Sequence, residues 1–112
     1  MATRELDKKE WKTFFDSVSK MLEGRPAEIE VASLRIGAQV QAEWLPLHGI
    51  AYDDKDDLME VTLDELDHII RKPREIYVEV GTLGLESVEI VDVDGVKQIV
   101  KLKNELMLPP PR

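Results

Sequence analysis

Trp11, Phe14, Phe15, Val18, Met21 and Leu22 recur at i, i+3, i+4 and i+7, the spacing that lines up side chains on one helix face. Asp7 suits the N-cap, and Glu10 three residues on completes a variant of the capping box. Leu6 and Trp11 stand where a hydrophobic staple would join. Gly24 supplies a left-handed stop, and Pro26 prevents the helix from resuming. A helix over residues 8–23 is predicted, with an aromatic face that must cover something.

From Ala27 the period falls to two. Ala27, Ile29 and Val31 alternate with Glu28 and Glu30, the pattern of a strand with one wet face. After Gly37, Val40, Ala42 and Trp44 alternate with Gln39, Gln41 and Glu43. Pro46 has no N–H to donate and interrupts the ladder. Residues 47–52 then resume, so one long strand bent near Pro46 and Gly49 is predicted. Asp53 to Asp57 reads as a loop, and Leu58 to Leu63 as the partner strand. Asp64 is placed at the cap of a short helical turn carrying Leu66, Ile69 and Ile70, which Pro73 ends. A meander follows: Ile76 to Val80, a turn at 81–84, Leu85 to Val93, a hairpin turn at Asp94-Gly95, and Val96 to Lys103.

One amphipathic helix covers only part of a sheet's apolar face, so the sheet must curl to bury the rest. The predicted fold class is α+β: an N-terminal amphipathic helix packed on a strongly bent, barrel-like antiparallel sheet of five to seven strands. Residues 1–103 form one helix-plus-β domain, and residues 104–112 an extended proline-rich tail.

Charge changes this picture by its placement. Residues 27–70 hold eleven acids against Arg35 and Lys55, whereas residues 1–26 are net +1 and residues 71–112 are neutral; the whole chain is −8. Such a field repels nucleic-acid phosphate and anionic lipid. The basic stretch Arg71-Lys72-Pro73-Arg74 is isolated and reads as a surface loop, so no nucleic acid and no membrane is expected as a partner. At 112 residues a self-sufficient core is possible, and no apolar run reaches the roughly 18–20 residues that span a bilayer. The N-terminal residues are polar, unlike a secretory signal, and there is no cysteine for disulfide, thiol or thiolate chemistry. The expected location is cytoplasmic.

Candidate chemistry is sparse. Over a twelve-residue calcium loop, Asp53 falls at position 1, Asp57 at 5 and Asp64 at 12, but Lys55 and Leu58 occupy the positions of a ligand and the turn glycine. A solvated loop is the better reading. His48 and His68 form no HxxH or HExxH pair. Ser17, Ser19, Ser33 and Ser87 lie in no nucleophile elbow, and glycines 37, 49, 81, 84 and 95 are too dispersed to cradle phosphate. No catalytic, cofactor-binding or metal-ligating residue and no cofactor is assigned, and nothing in the sequence supports an enzyme.

Association with protein has more behind it. Leu106, Met107 and Leu108 are apolar where a terminus is usually polar, and Pro109-Pro110-Pro111 favours extended geometry. Two chains could exchange these tails or join edge strands, giving a homodimer; alternatively, Leu106 and Leu108 fold back on their own domain.

Four strings together resemble an uncharacterised family of short bacterial proteins. They are Arg4-Glu5-Leu6 with Trp11-Lys12-Thr13-Phe14-Phe15; Leu45-Pro46-Leu47-His48-Gly49-Ile50-Ala51-Tyr52-Asp53 with Asp57; Leu66-Asp67-His68-Ile69-Ile70-Arg71-Lys72-Pro73-Arg74-Glu75-Ile76; and Glu89 to Val100. The resemblance covers residues 4–103. It implies a bacterial, cytoplasmic, single-domain protein of unknown function, and brings no catalytic residues to carry over. The expected function is a non-enzymatic binding or self-association module, with a homodimer or protein partner. The alternative is a small-molecule or divalent-cation binder using the strand near His48 and the acidic loop.

Overall fold

The capping residues read from the sequence do shape the start of the helix. In the computed structural model, which describes residues 2–33 and 37–107, Asp7 Oδ1 accepts the Lys9 N–H at 3.1 Å, and the Asp7 N–H donates to Glu10 Oε1 at 3.2 Å. Such a cap contributes about 1 kcal/mol. The predicted helix is split: Lys8–Glu10 make one tight 3-10 turn, and α1 proper runs Trp11–Met21. The staple is present, since Leu6 and Trp11 are both buried and Trp11 Nε1–H donates to the Leu6 carbonyl at 3.1 Å. Glu23 and Gly24, at φ of 49° and 72°, end the helix in the left-handed region.

Among the described residues, one strand before the helix and seven after it form one antiparallel sheet. They are β1 (Ala2–Glu5), β2 (Arg25–Ser33), β3 (Gly37–Asp53), β4 (Leu58–Leu63), β5 (Leu66–Arg71), β6 (Pro73–Gly81), β7 (Gly84–Asp92) and β8 (Lys97–Leu106). Their order is β1-β6-β7-β8-β2-β3-β4-β5. The α+β class and the strong bend hold, but the sheet stays open, with β1 and β5 as its outer strands. One residue, Lys72, joins β5 to β6 at φ 53°. Its N–H donates to the Asp57 carbonyl, and its carbonyl accepts the Val93 N–H, which pins this corner to two loops.

Three elements depart from the sequence prediction. β1 is a strand where none was read; its four residues are all exposed, and it is held by pairing with β6 from Ala2↔Val80 to Glu5↔Tyr77. The short helix predicted after Asp64 is instead β5. Leu66, Ile69 and Ile70 fit a helical stripe, but Leu66, His68 and Ile70 fit an inward strand face equally well. Pairing with β4 through a two-residue turn, Asp64-Glu65, decides for the strand. The expected tail from residue 104 begins inside β8. Leu106 is buried and pairs with Leu85, Met107 is exposed, and residues 108–112 lie outside the described residues.

The core lies between α1 and the concave face of the sheet: Trp11, Phe15, Val18 and Leu22 from the helix, and inward residues such as Ile29, Leu47, Met59, Val61, Ile76, Ile90 and Val100 from the strands. Trp11 meets Tyr52 edge to face at 5.1 Å, a geometry that adds to area burial alone.

Candidate functional site

A straight strand of 17 residues would span about 55 Å, yet the molecule measures only 39 Å along its longest axis. β3 therefore has to bend. It does so through an extra residue at Gln41, another at Glu43-Trp44, where Trp44 takes φ 53°, and a register shift between Leu47 and Gly49. Its neighbours are shorter. β2 accompanies β3 from Gly37 to Leu47, and β4 from Leu47 to Asp53, so among the described residues each half of β3 lacks a strand on one side.

The two gaps are treated differently. Beside the second half, α1 replaces the missing strand: the Ile50 N–H donates to Ser19 Oγ at 2.9 Å, and the Ser19 hydroxyl donates to the Ile50 carbonyl at 2.7 Å. Beside the first half, no strand among the described residues pairs with the outer edge of Gly37–Leu45. Ala38, Gln39, Val40, Gln41, Glu43 and Trp44 are exposed there, Val40 at 53% and Trp44 at 40%, whereas Leu45 is half-buried against the core. Lys103 lies 6.0 Å from the Trp44 ring. Natural edge strands are usually guarded by charge, proline or bulges. From Gly37 to Ala42 there is no charge and no proline, so among the described residues the guard of this edge is its bulges.

The residues singled out from the sequence are occupied in other ways. Ser19, His48 and Asp64 have the residue types of a hydrolytic triad, but the Ser19 hydroxyl is used on both sides of Ile50. His48 Nε2–H donates to Asp64 Oδ1 at 2.7 Å on an exposed surface. His68 faces inward and donates through Nε2 to Oε1 of Gln98, a buried amide on β8, so it ties the outer strand β5 to the opposite part of the sheet. Arg71, Lys72 and Arg74 form the exposed corner between β5 and β6, around a buried Pro73.

The acidic loop is structured by its own carboxylates. Asp53 Oδ1 accepts the Lys55 and Asp56 N–H groups at 2.9 and 3.2 Å, and Asp57 Oδ1 accepts the Tyr52 hydroxyl at 2.9 Å. Burial pushes the Tyr52 hydroxyl up to about 12, helped by its donation to Asp57 and by the neighbouring aspartate charges. At neutral pH it is thus a donor and not a base. An open cleft separates this loop from the start of α1, with Lys8, Lys9 and Lys12 facing Asp54 and Asp57. Among the described residues, no group of three His, Asp or Glu could hold a metal ion, and no helix is long and apolar enough to cross a membrane.

The open edge of β3 is the feature that the sequence reading did not isolate. Its signal is a run without charge in a chain that is 34% charged. Openness itself depends on where β4 begins, which no local pattern encodes.

The chain belongs to the family of unknown function DUF5335, whose model matches residues 2–111. An uncharacterized protein of Aquifex aeolicus (strain VF5) is 40% identical to it over 110 residues, covering 97% of this chain and 99% of that one. No solved structure matches the chain. The expected resemblance to an uncharacterised bacterial family is thereby met.

Proposed function

We propose that this family member is a non-enzymatic self-association module, a homodimer working in the cytoplasm. The observation that carries the reading is the uncovered, uncharged edge of β3 between Gly37 and Ala42. Unpaired N–H and C=O groups on such an edge are a template for a further strand. Small-molecule or cation binding has less support, because Asp53 and Asp57 are already engaged within their own loop.

Two chains of −8 repel each other, and salt screens that repulsion over about 10 Å at 0.1 M. A short strand contact is weak, so association belongs at high concentration. Sedimentation velocity between about 10 and 300 µM, at about 0.05 and 0.5 M salt, should show a weight-average coefficient that climbs with concentration and climbs further at high salt. A monomer under all these conditions would reject the proposal.

A further inference from the structure

Resting on that self-association reading, we infer that two copies meet about a twofold axis through Val40, so that Ala38–Ala42 of each chain pairs antiparallel with Ala42–Ala38 of the other. A twofold contact is isologous: whatever residue i meets, its counterpart must meet i. An antiparallel strand satisfies this best when its sequence reads the same in both directions. Ala38-Gln39-Val40-Gln41-Ala42 does. Centred on Val40, the pairing sets Val40 against Val40, Gln39 against Gln41 and Ala38 against Ala42.

The flanks are compatible with it. Glu43 falls opposite Gly37 and not opposite another acid, so the pairing brings no like charges face to face. Opposed β-branched side chains such as the two valines add favourable cross-strand contact. Alanine and glutamine provide small and amide-bearing neighbours on either side. The pairing with β2 is regular from Gly37 to Val40; the extra residue at Gln41 lies inside the proposed five-residue contact and the one at Glu43-Trp44 just past it, and their added twist keeps the contact short. The competing route, exchange of C-terminal tails, is weakened because Leu106 is already buried in its own chain.

The chain has no cysteine, which makes the test direct. Val40→Cys introduces a single thiol on the proposed axis. Directly opposed antiparallel residues have Cα atoms about 4.5–5.5 Å apart, inside the range a disulfide bridges. Val93→Cys, also on an exposed position, is the control. Under mild oxidation at a concentration where sedimentation shows dimer, Val40→Cys should form a covalent dimer at least about tenfold faster than the control. A mixture of Gln39→Cys and Gln41→Cys chains should cross-link faster than either alone, which reads the register independently. If the unmodified chain dimerises but Val40→Cys links no faster than Val93→Cys, the twofold pairing is wrong while self-association stands. If the unmodified chain stays monomeric, both proposals fall.

Discussion

Phe15→Ala is expected to lower the stability of the protein by about 3–5 kcal/mol, the range for removing a fully buried phenylalanine. The side chain is 0% exposed and lies at the centre of the helix face, between Trp11 and Val18 in sequence, with Phe14 edge to face at 5.2 Å. Two terms add. The transfer free energy of the lost ring is about 1.5–3 kcal/mol, and the remainder comes from a cavity that cannot close. Closure would require α1 to move toward the sheet, but Ser19 fixes the helix to the Ile50 backbone at hydrogen-bond distance. Denaturant unfolding of the variant, compared at constant slope, reads the loss. A cost below about 1 kcal/mol would mean that α1 does not seal the concave face of the sheet.

Gly84→Ala should be similarly damaging, for a different reason. Gly84 begins β7 at φ +132°, and a Cβ built there would lie 2.3 Å from the Leu106 carbonyl oxygen and 2.9 Å from the Met107 Cα. Both neighbours are backbone, so no side chain can swing aside. Overpacking costs about 1–3 kcal/mol and unfavourable φ a similar amount, giving an expected loss of about 2–6 kcal/mol. The end of β8 must shift, and the buried Leu106 side chain with it. The expected signature is a lower unfolding midpoint together with faster hydrogen exchange at Leu106. A variant as stable as the parent would show that residues 104–107 do not lie against β7.

These two positions also mark how far the sequence could be read. Phe15 sits in a helix whose period, cap and stop are all local, so α1 was legible residue by residue. The same holds for β2, β4 and the long β3, where polar and apolar positions alternate. Gly84 was legible only as a turn residue; its close contact with Leu106 spans 22 positions, and nothing near Leu106 distinguishes a buried leucine from a loose tail. β1 has no apolar side to detect, since all four of its residues are exposed and only the partner β6 makes it a strand. β5 carried two compatible periods, and the tight turn from β4 selected one. The candidate contact surface was half legible: Gly37–Ala42 could be read as strand, but its free edge follows from β4 pairing only from Leu47 onward.

Amide hydrogen exchange at residues 38–42, followed across a dilution series, tests the role of this edge most directly. Exchange should slow at these amides as concentration rises, while the core strands and Met107 stay unchanged. Unaltered exchange at 38–42 in a sample that sedimentation shows to be dimeric, with protection appearing instead around Leu106 and Met107, would contradict it.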